Sequence, residues 1–246
     1  MAFSHIQGAQ STENSTPVTT KSVTLSAIGN GNCVLGAINY DLTGSVTVTS
    51  IDDDKGNTYN LEGPVDDSPD GGRSYAFSRT NITNAPTVIT AHLSASIGFV
   101  GIAADEFSGS STTSSDERDG TAHGGQFQAT PGTGTDAVTS GNFTTSTNGD
   151  LLYGVSFNNG AGNNPASGTG FTAGVAGSFP AYGFLSEYKT QATAGSGTAT
   201  TFTAATNTGH TTFLIAIKPS GAAVTPTALF NKWWEGSFET ENVSYG

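Results

Sequence analysis

The residues that could support catalysis or bind a metal are scattered acids and four histidines. His5, His92, His123 and His210 lie far apart in the sequence, and none is spaced with a second ligand in the way that zinc requires. The chain also lacks a G-x-S-x-G nucleophile elbow, a phosphate-binding loop and a dinucleotide fingerprint. The sequence therefore predicts a protein that is not an enzyme, although a site assembled from distant loops stays open as an alternative.

The densest group of carboxylates is the run from Asp52 to Asp54, which Lys55, Gly56 and Asn57 follow. Oxygen ligands in a tight turn can hold calcium, and this makes Asp52, Asp54 and Asn57 candidate ligands. The same residue types are favoured in a plain hairpin turn because they tolerate left-handed backbone. Successive acids do not all point at one centre, so the hairpin is the favoured interpretation. No cofactor is predicted, with calcium as the alternative.

Two adjacent acids, Asp105 and Glu106, end an apolar segment and suggest the acid pair of a glycoside hydrolase. Neighbouring residues on a strand point to opposite faces, so this pair would not flank one sugar. One of the two is expected to accept hydrogen bonds from backbone amides, and Glu106 is the strongest candidate acid for a hydrolase. The acids Asp116, Glu117 and Asp119 are expected to lie on a solvated loop.

The elements that position these residues are short and strand-like. Only 11% of the 246 residues are charged, and Gly, Ser, Thr and Asn fill the intervals between apolar runs. Segments such as 44–51, GSVTVTSI, alternate apolar and polar residues with a period of two. Helical periodicity is nearly absent. The pattern predicts an all-β sandwich of about 10 to 13 strands.

Changes in composition divide the chain into four predicted segments. They are an extended N-terminal arm (1–16), a β-sandwich (17–219) that could consist of two halves (17–109 and 120–219), a linker (220–226) and an aromatic tail (227–246). The two halves contain similar numbers of strand segments, but we find no internal repeat of fixed period.

The tail is unusually rich in aromatic rings. Both tryptophans of the chain lie there, and its five rings belong to Phe230, Trp233, Trp234, Phe238 and Tyr245. Rings of this size are costly to leave in water, and each could bury a large apolar area on contact with another surface. These five residues are therefore the predicted partner-binding site.

Charge and cysteine content exclude several classes of function. A net charge of −12 would repel a nucleic-acid backbone. The single cysteine, Cys33, cannot form an intramolecular disulfide and is expected to be a buried thiol. The N-terminus lacks the pattern of a secretory signal, and no apolar run is long enough for a membrane helix. An extracellular location would then be reached by another route, such as cell lysis.

Three short motifs carry a resemblance to a known type of domain. They are the turn Ile51-Asp52-Asp53-Asp54-Lys55-Gly56-Asn57-Thr58-Tyr59, the strand end Asp105-Glu106-Phe107-Ser108-Gly109 and the segment Asp150-Leu151-Leu152-Tyr153-Gly154, all within residues 18–219. Together they resemble a jelly-roll-like domain of bacterial and phage surface proteins. In such domains these motifs are structural, and no catalytic residue is carried over. With the arm and the aromatic tail, the chain looks like a virion component of a tailed phage.

This resemblance implies a capsid decoration or head-fibre protein on the virion surface. Its partner would be the major capsid protein or another virion subunit, and the protein itself would be a homo-oligomer. The alternative is a carbohydrate-binding or adhesin module that binds a surface glycan. Its candidate residues are aromatics that could stack on sugar rings, namely Tyr75, Phe77, Phe157, Phe179, Tyr182 and Phe184.

Overall fold

The computed structural model describes residues 2–12, 15–41, 44–67, 71–129, 137–159, 164–178, 182–204 and 209–221. These residues form strands and connecting segments, with no α-helix among them. The strands are β1 (Ser4–Gln10), β2 (Val18–Thr24), β3 (Cys33–Asp41), β4 (Val48–Asp53), β5 (Asn60–Asp67), β6 (Gly72–Arg79), β7 (Val88–Ile97), β8 (Gly101–Ser108), β9 (Arg118–Gln128), β10 (Ala137–Thr139), β11 (Phe143–Thr144), β12 (Asp150–Asn159), β13 (Ala166–Ser167), β14 (Thr172–Ser178), β15 (Tyr182–Gln191), β16 (Ser196–Thr198), β17 (Thr201–Thr203) and β18 (His210–Ile217).

The first eight strands form one sandwich, which we call the first sandwich. Its large sheet has the order β1-β8-β3-β6-β5, and its small sheet has the order β2-β7-β4. All the pairings are antiparallel. The order matches a jelly roll, except that β5 pairs with β6 in the large sheet instead of extending the small one. The predicted all-β sandwich is therefore confirmed.

The remaining strands form a second sandwich with the same topology. Its large sheet has the order β9-β18-β12-β15-β14, which matches the first large sheet strand for strand. Opposite it lie two short sheets, β10-β17-β13 and β11-β16, in the place of the first small sheet. The described chain therefore contains one strand arrangement twice.

A short sequence repeat marks the equivalent positions, although the sequence alone shows no repeat of fixed period. Asn30 to Gly36 reads NGNCVLG, and Asn148 to Gly154 reads NGDLLYG. In both copies the second residue is a glycine at positive φ, 81° at Gly31 and 87° at Gly149. The Asn30 side chain accepts a hydrogen bond from the Ala85 amide, and Asn148 accepts one from the Ala194 amide. The motif therefore forms the same turn before each central strand, β3 and β12.

The sheets stack in four layers, with a hydrophobic core between each pair of layers. The first core lies between the small and large sheets of the first sandwich and includes Val34, Ile51 and Phe77. The middle core joins the two large sheets through residues such as Leu35 and Tyr153. Two smaller clusters lie between the second large sheet and its short sheets. The large sheets are therefore covered on both faces, which explains why their strands are so apolar.

The contacts between the two sandwiches are also symmetric in pattern. Edge strand β1 lies against β14, and its equivalent β9 lies against β5, the equivalent of β14. The central strands β3 and β12 face each other. This is the pattern of a two-fold, isologous interface, here formed within one chain. Cys33 lies buried in this middle layer as expected, and burial raises the pKa of its thiol to about 12.

Two expectations about the strands differ from the structure. Within the predicted extended arm (1–16), Ser4–Gln10 forms the edge strand β1 and pairs with β8. Its inward side chains include His5 and Gln7, which contact acids on β8. Polar residues therefore occupy the inward positions, and the alternation of apolar and polar residues that predicts a strand is missing. The described residues hold 18 strands instead of 10 to 13, largely because five strands of two or three residues are too short to alternate visibly.

Candidate functional site

The Asp105 carboxylate lies at the interface between the two sandwiches and is completely buried. It contacts Nε2 of His5 on β1 at 2.7 Å and accepts hydrogen bonds from Tyr153 Oη at 2.9 Å and Ser186 Oγ at 2.6 Å. Burial and the nearby carboxylate raise the pKa of Tyr153 well above its usual value, so this hydroxyl keeps its proton and donates. Asp105 therefore links the first sandwich to β12 and β15 of the second.

Glu106 points the other way, toward the small sheet of the first sandwich. Its carboxylate accepts hydrogen bonds from the Gly29 amide at 2.8 Å, from Asn32 Nδ2 at 2.5 Å and from Gln7 Nε2 at 2.5 Å. The two acids thus occupy opposite faces of β8, as the strand geometry predicts. A serine, a histidine and an acid do meet at Asp105. Ser186 and His5 both bond directly to the carboxylate, whereas in the triad of a hydrolase the serine bonds to the histidine, so the two arrangements differ.

The predicted calcium turn lies at the end of β4, and its side chains point in different directions. Asp54 accepts hydrogen bonds from the amides of Thr87 and Val88, which lowers its pKa to about 2. Asp52 contacts Nε2 of His92 at 3.1 Å. The Asn57 amide group donates to the buried carboxylate of Asp53, a residue that was not among the candidates. Calcium at this turn stays a prediction, and the observed bonds are those of a tight turn.

The loop acids are less exposed than the sequence suggests. Asp116 is exposed and pairs with Arg118, but Glu117 and Asp119 are buried. The reason is that β9 begins at Arg118, so Asp119 belongs to a strand and not to a solvated loop. The expectation of a solvated surface is wrong for these two residues.

The aromatic candidates for sugar stacking belong to the cores. Five of them, Tyr75, Phe77, Phe157, Tyr182 and Phe184, are buried. Phe179 and the whole tail, including Phe230, Trp233, Trp234, Phe238 and Tyr245, lie outside the described residues. Among the described residues the exposed large apolar side chains are Ile6 and Phe99.

The two ends of the folded body meet at one point, Gly109. The Ser220 amide donates to the Gly109 carbonyl at 2.7 Å, and Ser110 forms a β-bridge with Pro219. A Cβ atom at Gly109 would lie 2.6 Å from the Ala2 carbonyl oxygen, and its φ of 97° also favours glycine. We call this end of the molecule the Gly109 pole. The described residues therefore begin and end at this pole.

A cavity of about 320 Å³ opens near the same pole. Its walls include Phe3, His5, Phe107, Tyr188 and Lys189. The His5 ring stacks on Tyr188 with 5.2 Å between ring centroids and contacts the Phe107 ring edge-on at 5.1 Å. The cavity is thus aromatic, with His5 held from behind by Asp105. Its position beside the Gly109 pole was not visible in the sequence, because the cavity combines residues of β1, β8 and β15.

The described ranges contain neither a metal-binding cluster nor a membrane-spanning helix. No group of three or more His, Cys, Asp or Glu side chains in those ranges could hold a metal ion. Those ranges also contain no helix that is long and apolar enough to span a membrane.

Comparison with known proteins adds little to this description. No protein-family model and no curated protein sequence matches the chain. A solved structure, the C-terminal domain of the AgI/II polypeptide BspA from Streptococcus agalactiae, aligns with 87% of this chain and 91% of its own length at 14% sequence identity. The TM-score of this alignment is 0.22, so it supports no argument about fold or function.

Proposed function

We propose that this chain is a non-catalytic structural protein that displays a rigid double sandwich on a larger particle, most specifically as a capsid decoration or head-fibre protein of a phage. The observation that carries the proposal is the convergence of Ala2 and Ser220 at Gly109. A body whose described residues begin and end at one pole can be held there, with the opposite pole directed away from the particle.

The bonding of the buried acids also supports a structural role. Three buried acids, Asp105, Glu106 and Asp53, each accept hydrogen bonds from groups that fix the fold. No two of them face each other as the acid and the nucleophile of a glycoside hydrolase do. The middle apolar layer joins the two sandwiches into one unit, which suits a protein that is displayed and not one that must open and close.

The proposed anchor is the tail, residues 227–246, which follows the pole directly through the linker. Burial of Phe230, Trp233 and Trp234 on a partner would contribute about 1.5 to 3 kcal/mol for each ring before ordering costs. Repetition of the contact over many copies would add avidity. The partner would be the major capsid protein or another virion subunit.

The test uses the full chain and the double variant Trp233→Ala/Trp234→Ala in a co-sedimentation assay with the particle. We expect the variant to lose most of its particle occupancy while its thermal unfolding midpoint stays unchanged. The matched control is Phe99→Ala, which removes an exposed ring at the opposite pole, 39% accessible, and should leave occupancy unchanged. Full occupancy of the tryptophan variant would reject the tail as the anchor.

The adhesin alternative needs a different site from the one that the sequence suggested, since five of its six aromatic candidates are buried. The cavity beside His5 and Tyr188 is where a glycan would be sought. Saturable binding of the protein on a glycan array, lost in Tyr188→Ala, would favour this alternative over the structural role.

A further inference from the structure

The small layer of the second sandwich is interrupted at a level where the first small sheet is continuous. The middle strand of the first small sheet is β7, a single strand of ten residues that contributes Ala91 and Leu93 to the first core. In the second sandwich the corresponding position is shared by β16 and β17, which Ala199 and Thr200 separate. Beside them, residues 140–142 separate β10 from β11. Two neighbouring strands therefore break at the same level.

Hydrogen bonds hold the two breaks against each other and against the second large sheet. The Ser140 amide donates to the Thr200 carbonyl at 3.2 Å, and the Thr200 amide donates to Ser140 Oγ at 3.1 Å. The Thr200 hydroxyl donates to the carbonyl of Phe213 on β18 at 3.0 Å. Both Ser140 and Thr200 are buried. The gap between the short sheets is therefore a fixed part of the fold, as is typical of pre-formed ligand sites.

A cavity of about 610 Å³ opens at this gap, and we call it the break cavity. It is lined by residues that flank both breaks, such as Thr139 at the end of β10 and Thr198 at the end of β16. Its volume lies in the range of about 300 to 1,000 Å³ that is typical of ligand sites. Five of its described lining residues are Ser or Thr, and Asn142 and Gln191 add two side-chain amides. The break cavity is therefore rich in groups that both donate and accept hydrogen bonds.

Lys189 gives the break cavity a positive charge. It lies opposite Leu152 in the pairing of β15 with β12, so both side chains face the short sheets. Its Nζ lies 4.1 Å from the centroid of the Phe171 ring, which packs on the apolar cluster around Leu152. The ring therefore fixes the position of the ammonium group.

The break cavity contains no acid among its described lining residues, although the chain has 20 acidic and 8 basic residues. None of the ion pairs between described residues includes Lys189. The buried acid Glu187 lies two residues away on the same face of β15, but its carboxylate accepts a hydrogen bond from the Gly168 amide and does not line the cavity. The charge of Lys189 is therefore available to an anionic group of a ligand.

We infer that the break cavity binds a saccharide that carries a carboxylate. The carboxylate lies at Lys189, whose ammonium group acts as a compact point charge. The sugar hydroxyls bond to the polar lining, in which Asn142, Thr169 and Ser196 are exposed to an incoming ligand. A small inorganic anion would leave most of these groups unused. The break cavity does not involve the tail, so this site and the proposed anchor are tested separately.

The test begins with a glycan array that is probed with the full chain. The array carries glycans that end in uronic or sialic acid, each beside its carboxyl-reduced counterpart, in which an alcohol replaces the carboxylate. We expect saturable binding to at least one acidic glycan and loss of most of that binding on the reduced counterpart. Isothermal titration with the bound glycan then gives a dissociation constant for the wild type and its variants.

Two variants of the break cavity change its charge with little change in size. Lys189→Met removes the ammonium group, and we expect it to raise the dissociation constant about tenfold. Asn142→Asp places a negative charge at an exposed position of the lining, and it should also weaken binding of the anion. The matched control is Lys55→Met, which removes the same charge from an exposed turn of the first sandwich and should bind like the wild type. Thermal unfolding midpoints should be unchanged in all three.

Three outcomes would overturn the inference. One is an array on which no acidic glycan binds or the reduced counterparts bind equally well. A second is a wild-type dissociation constant in either Lys189→Met or Asn142→Asp. The third is loss of binding in Tyr188→Ala with full binding in both break-cavity variants, which would place the glycan in the cavity beside His5 instead.

Discussion

The two sandwiches have the same strand order but fill their interiors in different ways. At the position opposite the central-strand glycine, the first sandwich has Phe77 and the second has Glu187. Phe77 packs into a core rich in rings, whereas Glu187 accepts a hydrogen bond from the amide of Gly168, the residue after the short strand β13. The first small sheet consists of three strands of 6 to 10 residues, and the second is broken into strands of two or three residues. One topology therefore tolerates either an apolar or a polar link between its layers.

The position of Asp105 shows the same contrast at the interface between the sandwiches. Its equivalent on β18 is Ile215, which lies in the apolar middle layer. On the opposite edge of the interface the polar link is made instead by Glu62, which contacts Arg118 and His123. The interface is symmetric in its strands and asymmetric in its charges, so equivalent substitutions should have unequal effects.

The largest effect is expected for Asp105→Ile, which gives the first sandwich the residue of the second. It leaves Tyr153 and His5 without their acceptor and leaves Ser186 only the longer bond to the Val175 carbonyl, and we expect a loss of about 4 kcal/mol in the free energy of unfolding. Urea denaturation measures this loss. Adding Tyr153→Phe to the variant should recover part of it, since one of the unpaired donors disappears. A single variant as stable as the wild type would show that Asp105 does not link the sandwiches.

A smaller and unequal pair of effects is expected at the two central glycines. A Cβ at Gly36 would lie 2.3 Å from both the Ala103 carbonyl oxygen and the Phe77 ring, whereas at Gly154 it would meet the Thr200 side chain at 2.5 Å. We expect Gly36→Ala to cost about 2 kcal/mol and Gly154→Ala about 1 kcal/mol in the free energy of unfolding. The second cost is lower because the Thr200 side chain is smaller than the Phe77 ring and no backbone atom opposes the new methyl group. Thermal unfolding compares the two, with Gly154→Ala/Thr200→Ala as control. Equal losses would argue against the proposed difference in packing around the two glycines.

The smallest effect is a change in pH dependence at Glu187. Burial raises the pKa of this carboxyl from 4.5 to about 7, against the hydrogen bonds that it accepts. Its favourable contribution is therefore complete below pH 4.5 and is lost as pH rises through 7. Glu187→Gln keeps an acceptor for the Gly168 amide and cannot titrate, so its unfolding free energy should fall less between pH 4.5 and 7.5. Urea denaturation at several pH values tests this, and parallel profiles for the two proteins would contradict it.

Much of the fold could be predicted from the sequence, because alternation and turn residues are local signals. The all-β class, the buried Cys33 and the opposite faces of Asp105 and Glu106 follow from periodicity alone. The duplication could not be recognised by periodicity, since the shared NG-x-x-x-x-G motif spans only seven residues and the strands around it differ in side chains. A search for that motif before each apolar run would have found it.

The site was harder to predict, because it depends on partners that are distant in the sequence. Asp119 appeared solvated because its run of acids suggests a loop, yet Ser146 and Thr147 bury it. The Gly109 pole could not be predicted without knowing that β1, a polar segment, pairs with β8. The role of the tail, residues 227–246, stays a prediction from its rings.

Tryptophan fluorescence tests the central proposal most directly, because both tryptophans of the chain, Trp233 and Trp234, lie in the tail. In the isolated protein we expect emission typical of water-exposed rings and strong quenching by iodide. On the particle the emission should shift to shorter wavelength and the quenching should fall. A blue-shifted, protected emission in the isolated monomer would mean that the rings pack on their own sandwiches, and this would contradict the proposed anchor.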